Sequence, residues 1–473
     1  MEQINDTIHT LIEKSFAAQI RETQEVLRIK STLDESQSTL EHPFGPNVTH
    51  ALNDFLERGE KLGFKVKNID NYAGYVEMGS TGTLVGILAH LDVVPEGNEK
   101  DWKYPPYAAV IEDSKLFGRG SIDDKGPAVA VLYAMKALRD SGTDLHHRFR
   151  LILGLDEESG SRCIKHYNEV EEQPEFSFSP DAEFPVVNAE KGILRLIVTK
   201  NVPADMSQGK ISLLSVHGGD RFNVVPNEAS AVIQCQESGA AEIKNACANF
   251  DIEIINHSNT LEIAAKGTSA HAMEPHKGDN AVQKLLKALL LIDLSPNAKE
   301  LVQTLYNMAG TGYSGEGLGI QTADADSGSL TCNLAAIDMD SSNTDLSASI
   351  KLDIRYPVTA NYDRLIGKLN DCISKNKAEV TIHTHKKPLY LPASHKVVQT
   401  LLDAYESVTG DRPAPVSMGG GTYCRFMPNA VSAGPLFPGQ EELAHQANEN
   451  VSLDDLLKST HIYGEIIARL NSL

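Results

Sequence analysis

The chain has 473 residues, 41% of them hydrophobic, and a formal net charge of −21. That length exceeds one hydrophobic core and predicts two or more domains, and the apolar content excludes a disordered chain. The acidic balance argues against anionic partners, namely nucleic acid and acidic membrane surfaces. It leaves the substrate open, because cations or local arginines reverse the sign inside a cleft.

In chain order, residues 6–28 place Ile8, Leu11, Ile12, Phe16, Ile20 and Leu27 at three- and four-residue spacings and predict a helix. The opening residues include Glu2 and Asp6, with no basic stretch and no apolar run of signal length, so export is not expected. No stretch is long enough to span a membrane. The run TLVGILA at 83–89 reads as a buried strand that delivers His90 and Asp92, two apart and therefore on one face. GRGSIDDKG at 118–126 leads into a helix patterned by Val129, Leu132, Met135 and Leu138, with Asp123 and Asp124 where a cap belongs. A second buried run, FRLILGL at 149–155, stops at Asp156, Glu157 and Glu158, and PDAEFP comes next at 180–185. Open α/β sheets hold their sites outside the carboxyl ends of the strands, so two independent strands bring acidic groups to one rim.

From 186 to 443 the chain carries none of these acidic strings, which suggests an inserted domain near 189–385. GILRLIVT at 192–199, ISLLSVHGG at 211–219, ASAVIQCQ at 229–236 and VTIHTH at 380–385 read as strands, and AVQKLLKALLLI at 281–292 as a helix. The expected fold is therefore α/β: a catalytic domain (1–188 and 386–473) with a mixed, largely parallel sheet flanked by helices, and an inserted antiparallel α+β lid domain (189–385). Ser452 with Asp455 forms a capping start for the last helix, LDDLLKSTHIYGEIIARL.

Each acidic string has an ordinary explanation when taken alone: a surface His-x-Asp pair, a solvated Glu-Glu, an N-cap. Their joint occurrence in order, completed by AHQANE at 444–449, points to a centre of two divalent ions. Such ions sit about 3.5–4 Å apart and need a carboxylate spanning both, a role that suits Asp123.

These strings resemble the co-catalytic metallopeptidase family that includes aminoacylase, succinyl-diaminopimelate desuccinylase and carnosinase-like dipeptidases. PDAEFP, NVVP at 223–226 and AHQANE look like the versions found in the bacterial peptidase V type, the Xaa-His dipeptidases. The resemblance implies that Asp123 bridges, that His90 and Asp181 hold one ion, and that Glu158 and His445 hold the other. It makes Glu157 the general base acting on a water between the ions, places Asp92 behind His90 as an orienting residue, and implies a cis peptide after Asp123. His271, in KGTSAHAMEPHKGDNA at 266–281, becomes the donor to the developing oxyanion. His276 has no such support.

A substrate carboxylate calls for arginine or open backbone N–H groups. Arg355 in DIRYP (353–357) and the run SMGGGTYCR (417–425) offer both, the latter through Gly420, Gly421, Thr422 and Arg425. The resemblance makes that run a carboxylate contact, with Cys424 replacing the family's alanine, and adds Asn223 as a contact from the lid. The enlarged lid implies a monomer that supplies His271 from its own chain.

The expected activity is a di-metal dipeptidase acting on small peptides with free amino and carboxyl termini. A deacylase of N-acyl amino acids or a carboxypeptidase of the same fold is the alternative, and a non-catalytic peptide-binding relic is disfavoured by the intact ligand set. Histidine and carboxylate ligands suit Zn2+, and the same oxygen-rich set accepts Mn2+ or Co2+. Six scattered cysteines without close pairing suggest a reducing, cytoplasmic setting.

Overall fold

The computed structural model describes residues 2–204, 211–235, 243–247, 251–257, 259–342 and 344–473, with side chains from residue 6 onward. Gln236, the last residue of one expected strand, lies outside these. Two compact units divide the chain: one comprises Met1–Ala189, Leu389–Ser417 and Gly421–Leu473, the other Glu190–Pro388 with Met418–Gly420. The short piece Met418–Gly420 groups with the second unit, although the sequence pattern alone runs it with the last part of the first.

The first unit is built on a nine-stranded sheet. Its strands include β1 (Lys65–Ile69), β2 (Ala73–Met78), β3 (Leu84–His90), β4 (Arg148–Gly154), β5 (Phe176–Ser179), β6 (Val187–Glu190), β7 (Leu389–Tyr390) and β8 (Ala430–Ser432), in the order β1-β2-β4-β3-β5-β8-β6-β7. The centre is parallel, β3 pairing with β4 and β5, and β8 with β5. The flanks are antiparallel, through β1 with β2, β2 with β4, and β8 with β6. All seven residues of β3 are buried, as a strand covered on both faces requires.

Three helices stack together in this unit: α1 (Glu2–Leu27), α2 (Lys125–Asp140) and α3 (Leu453–Leu470). Helix α2 is buried on nearly every side. Close approach of α1 to α3 is permitted by Gly464, where a Cβ would already meet Ile12 and Ile8 at 3.1 and 3.2 Å. Gln19 ties the pair by donating to the Thr460 hydroxyl at 2.8 Å. Ser452 caps α3 through the Asp455 N–H.

The second unit has its own apolar core, gathered on an eight-stranded sheet. Among the described residues every pairing in it is antiparallel, and three of its interior strands, Gly192–Pro203, Thr331–Ser341 and Asp345–Tyr356, are long. Helices Ala281–Leu289, Pro296–Ala309 and Tyr362–Lys375 accompany it. Among the described residues no helix is long and apolar enough to cross a membrane.

Candidate active site

The carboxyl ends of the three central parallel strands converge on one rim of the first unit. Strand β3 ends at His90, β4 ends at Gly154 two residues before Asp156, and β5 ends at Ser179 two residues before Asp181. The 118–124 loop that enters α2 supplies Asp123, and the loop before α3 supplies His445, whose φ of 65° is left-handed.

At the centre, the two oxygens of Asp123 face different histidines. Oδ1 lies 2.8 Å from His90 Nε2 and Oδ2 lies 2.9 Å from His445 Nε2. Asp181 Oδ2 is 3.8 Å from His90 Nε2, and Glu158 Oε1 is 3.1 Å from His445 Nε2. The peptide after Asp123 is cis.

The ring of His90 is oriented by its Nδ1–H, which donates to the backbone carbonyl of Asp92 at 2.9 Å. The Asp92 carboxylate lies farther from that nitrogen, at 3.5 Å, and instead accepts the backbone N–H groups of Glu157 and Glu158 at 3.2 and 3.1 Å. Asp124 departs from a plain cap. Its side chain makes no capping bond to α2 and accepts the N–H of His90 at 3.1 Å. Asp156, also buried, binds Arg162 through both oxygens and so closes the turn that presents Glu157 and Glu158.

The electrostatics show more negative charge than the protein's own groups balance. Burial opposes charge on His90, but the Asp123 and Asp92 carboxylates outweigh it and raise the imidazole well above its ordinary range. Burial likewise opposes charge on Asp123, and His445 and His90 nevertheless hold it far below the usual carboxylate range. Burial, then the Asp123 charge, pushes Asp181 up to about 7. Glu157 and Glu158 are raised by burial, with neighbouring carboxylates adding to it.

Divalent ions fit this arrangement. With Nδ1–H committed to the Asp92 carbonyl, His90 Nε2 faces Asp123 Oδ1 at 2.8 Å, and the raised proton affinity of the ring puts a proton where a cation would stand. A cation between such atoms would satisfy both and relieve the carboxylate repulsion. His90, Asp123 and Glu158 each turn a ligand atom to within 4.8 Å of the others.

The second unit brings Asn223 and His271 together. Val224 and His271 form an antiparallel bridge, and the Ala272 N–H donates to the Asn223 carbonyl at 2.9 Å. His271 is exposed, and its Nδ1 accepts the Met273 N–H at 3.1 Å, which leaves the proton on Nε2. Arg355 is only 2% exposed: its Nε and Nη2 pair with Asp353, and Nη1 donates to the Gly419 carbonyl at 2.7 Å.

None of Gly419, Gly420 and Gly421 has a positive φ. What demands glycine here is space, since a Cβ would stand 2.6 Å from Met273 Cβ at Gly419 and 2.3 Å from Arg425 Nε at Gly421. Thr422 is buried and caps the next turn, accepting the Cys424 N–H at 3.2 Å.

Sequence reasoning missed the buried carboxylates that hold the backbone around His90, Glu157 and Asp123, namely Asp124, Asp156 and Glu449. It also missed Tyr423, which is buried 6.2 Å from the His90 ring, centroid to centroid. Glu449 stands in the AHQANE string four residues after His445, and that proximity was its only signal.

The parallel-centred sheet ends in a carboxylate-rich rim where His90 and His445 flank Asp123, a donor set suited to divalent cations. Residues 86–469 match the model of peptidase family M20/M25/M40, and the chain belongs to this family of metallopeptidases. It is 38% identical over 455 residues to the protein named Putative dipeptidase YtjP of Bacillus subtilis (strain 168), covering 95% of this chain and 96% of that one. With a Putative dipeptidase of Staphylococcus epidermidis it shares 33% identity over 458 residues, covering 95% and 96%. Among solved structures, human carnosine dipeptidase 1 shares the fold, with a TM-score of 0.58 at 16% identity over 99% of each chain.

Proposed function

We propose that this metallopeptidase is a dipeptidase that uses two divalent ions and acts on dipeptides with free amino and carboxyl termini. The observation that carries the reading is the Asp123 carboxylate divided between His90 and His445, at 2.8 and 2.9 Å. His90 and Asp181 would hold one ion, Glu158 and His445 the other, with Asp123 shared. When bound, the ions acidify a water and polarise the scissile carbonyl.

Glu157 is the general base. Burial and nearby carboxylates raise its proton affinity, so it accepts the proton of the attacking water and returns it to the departing amine. Asp92 fixes both the His90 tautomer and the Glu157 backbone. His271, with its proton on Nε2, is suited to donate to the oxyanion. Arg355, oriented by Asp353, is the proposed anchor for the substrate carboxylate, with Asn223, Gly420, Gly421, Thr422 and Arg425 as further contacts.

The names of the relatives support a dipeptidase over an N-acyl-amino-acid deacylase or a carboxypeptidase. Zn2+ suits the histidine and carboxylate donors, and Mn2+ or Co2+ would be accepted by the same set. We assign the chain as a cytoplasmic monomer. All six cysteines are free thiols, in keeping with a reducing compartment.

The test is to strip the protein of metal, restore one metal at a time, and assay a dipeptide, its N-acetylated form and a tripeptide side by side. Hydrolysis of the free dipeptide alone is expected. Faster cleavage of the acetylated form would favour the deacylase.

A further inference from the structure

We propose that Glu449 is the positioning residue that sets the spacing of Asp123 and His445, and through it the affinity of the centre for its cations. The proposal rests on the two-metal reading above. The Glu449 side chain is fully buried. Its Oε1 accepts three backbone N–H groups of the loop that carries Asp123: Gly120 at 3.0 Å, Ile122 at 2.9 Å and Asp123 itself at 3.3 Å. Its Oε2 accepts from Arg119 Nη1 at 2.7 Å.

The same residue fixes the other loop. The Glu449 carbonyl accepts the Gly118 N–H at 3.0 Å, and Asn450–Ser452 then pairs antiparallel with Lys115–Phe117. One residue earlier, Asn448 donates to the Asp101 carbonyl at 3.0 Å and accepts the Lys103 N–H. His445 is therefore four residues from an anchor that grips the backbone of Asp123 directly.

Both halves of the carboxylate are needed. The three N–H groups precede α2 and have no helical acceptor, so a negatively charged oxygen suits them. The second oxygen balances Arg119, whose guanidinium lies 5.2 Å from the Trp102 ring centre and is buried with Glu449. Glutamine at 449 can serve one side only, because its amide nitrogen would face either Arg119 or the N–H cluster, donor against donor. Either outcome lets Asp123 move relative to His445. Outer residues of this kind change metal affinity by about 10–100-fold.

The experiment uses the full chain and Co2+ as probe. Apo-protein of the wild type, of Glu449→Gln and of Arg119→Gln/Glu449→Gln is titrated with Co2+ against a chelating dye, with the visible Co2+ absorption and far-UV circular dichroism recorded. The double variant leaves no arginine charge buried without a partner, so it decides if the single variant does not fold. A folded variant should bind Co2+ about 10–100-fold more weakly with an altered absorption band, and saturating Co2+ should restore much of kcat. A folded variant with wild-type affinity and spectrum overturns the proposal. So does loss of fold in both, because the pair is then simply structural. A wild type that takes up no Co2+ sinks the two-metal reading itself.

Discussion

The carboxylate of Asp92 accepts the backbone N–H of Glu157 at 3.2 Å, tying the end of β3 to the turn after β4. Its other oxygen takes the N–H of Glu158 at 3.1 Å, while its carbonyl takes the Nδ1–H of His90. One residue thus aligns a proposed base and two proposed ligands drawn from separate strands. Preorganisation of this sort spares the site reorganisation during the reaction.

Glu157 and Asp123 should separate cleanly on substitution. Glu157→Gln keeps the fold and both metals but should lose about 10²–10⁴ in kcat, the usual share of general acid–base catalysis. Asp123→Ala should lose the metals themselves. Elemental analysis alongside turnover checks both. Near-wild-type turnover in Glu157→Gln, or two ions retained in Asp123→Ala, removes the corresponding role.

His271 and Arg355 should differ in kinetics. An oxyanion donor acts in the transition state, so His271→Ala should depress kcat by about 10²–10³-fold. Arg355→Ala should chiefly raise KM, since a carboxylate anchor is felt in the ground state too. A fall in thermal stability with KM unchanged would instead make Arg355 a partner of the buried Asp353 and nothing more. Specific activity should stay constant on dilution, and mixing Glu157→Gln with His271→Ala should restore nothing. Activity recovered on mixing would mean a site shared between chains.

The rim was legible in the sequence because its residues come directly after short apolar strands. TLVGILA and FRLILGL announce their own ends, and the carboxyl end of a buried parallel strand opens onto the site. The supporting carboxylates were not legible. Asp124 looks like a helix cap but turns back to His90, and Glu449 reaches a loop 326 residues away in sequence, a pairing that only the fold creates. The glycine run reads in sequence as open backbone suited to an anion, and the structure adds a spatial constraint that the sequence does not show, the close approach of Met273 to Gly419 and of Arg425 to Gly421. Side-chain crowding leaves no local pattern.

Crowding also makes Gly154 a sensitive position. A Cβ there would stand 2.1 Å from the Tyr423 hydroxyl oxygen, and Tyr423 is buried with that hydroxyl 2.7 Å from Cys163 Sγ. Gly154→Ala should cost about 1–3 kcal/mol by overpacking. Adding Tyr423→Phe should recover part of it. Urea unfolding is the measurement, and an unchanged midpoint in Gly154→Ala would show that the ring has room to shift.

Acid stability depends in part on His461. His461 sits against His9, ring centroids 4.5 Å apart, and burial, reinforced by the His9 charge, pushes its pKa from an ordinary 6.5 down to about 4. Between those values the unfolded chain binds a proton that the folded chain refuses. The contribution to stability is therefore fully present above pH 6.5 and declines as the pH falls towards 4; solvent screening of the partly exposed ring keeps the loss by pH 5 below roughly 2 kcal/mol. His461→Phe has no such proton to take up. Other carboxylates titrate over the same range, so the quantity to measure is the difference between two differences: the loss of unfolding free energy from pH 7.5 to 5.0 in the wild type, minus that loss in His461→Phe. It should be positive and below roughly 2 kcal/mol. Equal losses in the two proteins would mean that His461 accepts its proton in the folded state as readily as in the unfolded one.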